Sequence, residues 1–149
     1  MARFSTECTT SASAEVVFDY LARFSTTAEW DPGVVEAEML TPEPVGLGSR
    51  FRVVTAQGKR RLELVYEVVE FDRPWLVSMA AEQPRLRSFD TIAVTPGAAG
   101  CTVRYGALLE ARGWLRRPAE LFLRPVLKRV GAKGAAGLAE AVRRLGPPS

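Results

Sequence analysis

The 149-residue chain contains no histidine. That absence removes Ser–His and Cys–His dyads, histidine metal ligands and the most frequent general acid–base group of enzymes. Any chemistry must rest on carboxylates, tyrosines, lysines or arginines. Cysteine is nearly as scarce: Cys8 and Cys101 lie far apart and form no CxxC motif, which argues against a disulfide framework and against a thiolate metal site. Phosphate loops are missing too. No GxGxxG follows a predicted strand and no GxxxxGK precedes Ser or Thr, so nucleotide binding is disfavoured and no cofactor or metal is expected. No run of about 18 apolar residues occurs, so no transmembrane helix is expected. The opening "MARFSTECTTSAS" is polar and lacks the apolar core of a signal peptide. The chain reads as cytoplasmic.

What is present is an apolar fraction of 47%, ordinary for a folded soluble chain. The length suits a single domain, 1–149, with one sizeable core. Charge is unevenly spread. Residues 1–110 carry 11 basic and 15 acidic side chains, whereas residues 111–149 carry 9 basic and 2 acidic. Such asymmetry marks either an acidic partner or a solvated helix face.

Hydrophobic periodicity orders the elements. "RFSTECTT" alternates as a strand. Ser13 is placed to cap a helix carrying Val16, Val17, Tyr20, Leu21 and Phe24 at helical spacing. Ser25 is placed to cap a second short helix that Pro32-Gly33 ends. Six strands follow in meander: "VVEAEML", "SRFRVVTA", "RRLELVYEVVEF", "WLVSMAA", "RLRSFDTIAVTP" and "CTVRYGALLEA". In these, Phe51, Val53 and Thr55 share one face, as do Leu62, Leu64, Tyr66 and Val68, and Val103, Tyr105, Ala107 and Leu109. From Leu115 the period turns helical, with Leu127, Val130, Gly134, Leu138, Val142 and Leu145 three or four apart. Pro125 lies inside that pattern and is expected to kink the helix or divide it. An antiparallel sheet with one apolar face needs cover, and the long helix is the element available to span it. Space between a curved sheet and one helix would be the ligand cavity.

The stretches "SAEVVFDYLARFSTTAEWDPGVVEAEML", "PVGLGSRFRV", "YEVVEFDRPWLV" and "FDTIAVTPGAAGCTVRY", followed by the terminal helix, resemble the SRPBCC superfamily. That group includes START lipid-transfer domains, and the likeness is to its polyketide cyclase/dehydrase-like branch. The resemblance covers nearly the whole chain in the right order. It implies an α+β helix-grip fold: a seven-stranded curved antiparallel sheet around a long C-terminal helix, with two short helices after the first strand and a cavity between sheet and helix. Shared fold does not transfer activity.

Asp90 is the residue that demands an explanation. Alternation sets it in register with Leu86, Ser88, Ile92 and Val94, so a carboxylate points where burial is expected. Arg87 and Arg104 fall on the opposite faces and make poor partners for it. Three readings stand: a polar anchor for a ligand or water, a structural hydrogen-bond acceptor, or a catalytic carboxylate acting with Tyr66 or Tyr105. The expected lining of a cavity for an apolar, lipid- or polyketide-like molecule is Phe51, Val53, Leu64, Tyr66, Met79, Ser88, Asp90, Ile92, Tyr105, Leu127, Gly134 and Leu138. The leading expectation is a binding or carrier protein. The alternatives are a cyclase/aromatase-like enzyme and a module that docks on an anionic membrane or acidic protein through Arg116, Arg117, Arg124 and Lys128. Nucleic acid is not expected, because no stacking platform or recognition helix accompanies the charge. Trp30 has two readings, a residue at the cavity mouth or a staple of the short helices onto the sheet. Asp31, before Pro32, reads as a turn or cap residue. Gly131, Gly134 and Gly137 each cost about 1 kcal/mol relative to alanine in a helix. Close approach to the sheet or room for a ligand would account for them.

Overall fold

The computed structural model describes residues 2–113 and 116–146. Seven strands form one curved antiparallel sheet: β1 (Ala2–Thr10), β2 (Val34–Met39), β3 (Arg50–Gln57), β4 (Arg60–Asp72), β5 (Leu76–Gln83), β6 (Leu86–Gly97) and β7 (Gly100–Ala111). Their order is β1-β7-β6-β5-β4-β3-β2, a meander from β2 to β7 with β1 added beside β7. Two short helices, α1 (Ala14–Ala22) and α2 (Thr27–Trp30), follow β1, and a long helix, α3 (Arg116–Arg144), follows β7. This is the helix-grip architecture that the family resemblance implies.

The Ser13 side chain accepts from the Val16 amide and starts α1, satisfying one of the free N–H groups of the first turn. Val17, Phe18 and Leu21 are then buried on the face that meets β6. Burial of each stabilises the fold by about 1.5–3 kcal/mol. The helix stops at Ala22, short of the expected Phe24. Phe24 instead enters a 3-10 turn, Phe24–Thr26, and its ring packs edge-on to Tyr66 at 4.9 Å. Ser25 lies inside that turn and does not cap α2. The connection is tied by the Thr27 hydroxyl, which donates to the Phe24 carbonyl at 2.7 Å.

Alternation holds along β6, where Ser88, Asp90, Ile92 and Val94 are all buried. It breaks where bulges intervene. Between Val68 and Glu70 the β4–β5 register shifts, and the extra residue reverses which side chains face inward. Phe71 therefore packs on Phe18 at 5.5 Å. Leu62, expected inward, is 38% exposed. It pairs with Thr55 near the β3–β4 hairpin end, beyond the reach of the core.

Helix α3 runs unbroken through Pro125, so the proline does not divide it. Pro125 cannot donate to the Leu121 carbonyl, but both residues are exposed and water can satisfy that oxygen. Further along, Leu138 and Val142 are fully buried, and the Thr10 hydroxyl donates to the Val142 carbonyl at 2.7 Å. Two of the three helix glycines are explained by close approach. A Cβ at Gly137 would stand 1.8 Å from the Trp30 carbonyl oxygen, and one at Gly131 would stand 2.5 Å from the Phe4 ring. No helix among the described residues is long and apolar enough to cross a membrane.

Candidate functional site

Four polar side chains on the helix-facing side of the sheet form one chain of hydrogen bonds. Tyr66, on β4, donates to the Ser88 Oγ at 2.9 Å. Ser88 donates to Asp90 Oδ1 at 3.2 Å, and the Tyr105 phenol donates to Asp90 Oδ2. The register explains how they meet. Ser88 pairs with Ala81 of β5, a small buried residue that leaves room for the Tyr66 ring to reach across. Asp90 pairs with Ala107 of β7, and Tyr105 reaches it from two residues earlier on the same face.

Asp90 is 5% exposed, and among the described residues no cation pairs with it. Arg87 and Arg104 lie on the outer face, where they bond Glu82 at 2.7 Å and Glu7 at 3.0 Å. Burial therefore pushes the Asp90 carboxyl up to about 6, the hydroxyls of Tyr105 and Ser88 holding it below a still higher value and the charge of Asp31 adding to the rise. The same burial drives the phenols of Tyr66 and Tyr105 well above their usual range, so both are protonated donors at neutral pH. Near pH 7 the site thus holds a carboxylate that is mostly ionised and two neutral phenols. An ionised carboxylate has about four acceptor positions, and the described residues use two of them.

The α2–β2 corner approaches this chain from the side of α3. Asp31 Oδ1 accepts from the Gly33 amide at 2.9 Å, the turn role its sequence position implies. Its carboxyl is raised by burial and faces Gly134, where an added Cβ would lie 3.5 Å from Asp31 Oδ2. Trp30 is 7% exposed and its ring stands edge-on to Tyr105 at 5.8 Å. Sequence periodicity did not bring Trp30 and Asp31 together with Asp90, because turn residues have no repeat from which direction can be read. The run "EWDP" beside a helical glycine series was the only local signal.

The remaining expected lining residues divide by environment. Phe51, Met79 and Ile92 have no exposed surface, and Val53, Leu64 and Leu138 have almost none. All six belong to the continuous apolar core, together with Tyr66. On α3, Gly134 is buried, whereas Leu127 is half-buried. Of the basic residues, Arg124 and Lys128 are exposed on α3, and the side chains of Arg116 and Arg117 lie outside the described residues. The described residues form depressions at two places relevant to binding. One of about 410 Å³ lies on the outer face of the sheet around Gly106, lined by Arg3, Ser5, Phe89 and Thr91. The other, of about 480 Å³, lies between the α2–β2 corner and α3, lined by Trp30, Asp31, Val34, Lys133 and Gly137.

Solved structures share this architecture. A START superfamily protein from Mycobacterium smegmatis superposes with a TM-score of 0.76 at 14% identity, over 97% of this chain and 99% of that one. The protein TTHA0849 from Thermus thermophilus gives 0.73 at 17%, over 94% and 96%. The Zhui aromatase/cyclase from Streptomyces sp. R1128 gives 0.70 at 16%, over 95% and 93%. At these identities the likeness is one of fold. No curated protein matches the chain. The sequence model described as polyketide cyclase/dehydrase and lipid transport matches residues 1–143, and the chain belongs to that family.

Proposed function

We propose that the protein binds an apolar small molecule between the sheet and α3, with Asp90 as the polar anchor that orients it. The observation carrying this reading is a buried carboxylate held by hydroxyls alone. Raising its pKa from 3.8 to about 6 corresponds to roughly 3 kcal/mol of lost stability once it ionises. A fold selected for stability alone would replace it with an apolar side chain. A group kept at that cost, on the inner face of a sheet gripped by one helix, suits a ligand that donates a hydrogen bond to the two unused carboxylate positions. Burial of the ligand's apolar surface would supply affinity at roughly 25 cal/mol per Å².

A second reading has its own observation. A carboxyl near pH 6 beside a phenol is suited to proton abstraction, and the family description includes polyketide cyclases. In that reading Asp90 takes a proton from an activated methylene of a polyketide-like chain while Tyr105 donates to the developing oxyanion.

Native mass spectrometry of gently purified protein, with extraction of bound material, tests the binding reading. A stoichiometric apolar adduct lost on denaturation is expected. A bare-chain mass, with no thermal stabilisation by long-chain fatty acids or fused-ring phenols, would overturn it. Asp90→Asn separates binder from enzyme: a binder changes affinity only, whereas a cyclase loses product formation while remaining folded.

A further inference from the structure

The α2–β2 corner carries a polar group that the fold leaves unused. Among the described residues, Trp30 Nε1 is the buried side-chain nitrogen or oxygen without a hydrogen-bond partner. An indole N–H is a donor only, and buried tryptophans ordinarily find an acceptor for it. The other donors of the interior are paired: Tyr66, Ser88 and Tyr105 each donate within the polar chain, and Asp31 Oδ1 takes the Gly33 amide. The edge-to-face packing of Trp30 on Tyr105 at 5.8 Å offers at most a π face, a much weaker acceptor than oxygen. Nor can α3 come closer on this side, because Gly137 already lies against the Trp30 carbonyl.

Position gives this donor a use. Trp30 lines the groove of about 480 Å³ between the α2–β2 corner and α3, and its ring also touches Tyr105, whose phenol is bonded to Asp90. It therefore stands between a surface groove and the polar chain of the interior. Val34 and Ala136 give the groove apolar walls, and Asp31 and Lys133 stand at the same groove.

We propose that Trp30 is a specificity-determining residue whose indole N–H binds a lone-pair oxygen of the ligand, so that the groove and the adjoining interior select an apolar molecule bearing a carbonyl over the matching hydrocarbon. This rests on the binding reading above and adds a second polar contact to the Asp90 anchor. A ligand satisfying both would present an acceptor to Trp30 and a donor to Asp90, as a hydroxy-ketone does.

The test uses two probes of nearly equal shape, 2-acetylnaphthalene and 2-ethylnaphthalene, titrated calorimetrically into the full chain and into Trp30→Phe. Transfer from water alone favours the hydrocarbon, so preference for the ketone reports a polar contact. The wild type is expected to prefer the ketone, and Trp30→Phe to reduce that ratio about tenfold, as loss of a buried hydrogen bond does. The Trp30 indole proton resonance of the wild type gives a readout that does not depend on the variant folding, and it should move downfield with the ketone and not with the hydrocarbon. An unchanged ratio in Trp30→Phe, or an unmoved indole resonance with ketone bound, overturns the Trp30 assignment and leaves the binding reading intact. Failure of both probes to bind at millimolar concentration overturns both.

Discussion

Two neighbouring groups of side chains on the same face of the sheet have opposite characters. Phe51, Met79 and Ile92 are sealed without exposed surface and gain from dispersion and exclusion of water. Tyr66, Ser88, Asp90 and Tyr105 are buried or partly buried beside them, yet they spend their polar atoms on one another. The first group would suit any stable core. The second lowers stability as pH rises through 6, and it is where the binding proposed above would be anchored. Their separation on one surface teaches that inward direction alone does not mark a residue as core or site. The pairing of its polar atoms does.

Breaking the apolar group should have the largest effect. Met79→Ala is expected to cost about 2–5 kcal/mol, the usual range for emptying a fully buried site, and the loss should be similar at pH 5 and pH 8. Urea unfolding at both pH values reads it. Asp90→Asn should do the reverse on the polar side. The folded-state carboxyl sits near 6, above its unfolded value, so its contribution is most favourable below about pH 4 and is lost as pH rises through 6. Relative to the Asn variant, the wild type should therefore lose about 2–2.5 kcal/mol between pH 4 and pH 8. Equal slopes for the two proteins would contradict the assignment.

Tyr105→Phe sharpens the comparison at a smaller scale. Removing the donor that stabilises ionised Asp90 should raise that carboxyl further and cost about 2 kcal/mol at pH 8, the range for hydrogen bonds to charged groups. The cost should shrink at pH 4, where Asp90 is neutral. The smallest expected effect is at the helix above the site. Gly134→Ala adds a Cβ at ordinary contact distance, 3.5 Å from the Asp31 carboxylate, and should stabilise by up to about 1 kcal/mol through helix propensity. Gly137→Ala meets a backbone oxygen at 1.8 Å and should destabilise. Thermal melts of the pair distinguish a packing glycine from a dispensable one.

Much of this arrangement was legible beforehand, for a specific reason. Along β6 a period of two carries Ser88, Asp90, Ile92 and Val94 inward without interruption, and the same rule sent Arg87 and Arg104 outward to Glu82 and Glu7. Where one residue decides the geometry, the pattern failed. The bulge at Val69 turned Phe71 inward, Ser25 entered a 3-10 turn instead of capping α2, and exposure at Leu121 let α3 pass through Pro125. Trp30 reaches the polar chain, with Asp31 beside it, through a corner whose direction is set by tertiary packing of α2 against α3. Hydrophobic spacing contains no trace of that packing.

The most direct measurement is the titration of the Asp90 side-chain carboxyl by carbon-13 NMR, assigned with Asp90→Asn. A midpoint near pH 6 would match a carboxylate enclosed with hydroxyls and no cation. A midpoint near 4 would contradict the account, since it would require Asp90 to be solvated or ion-paired and would remove the basis of the proposed anchor.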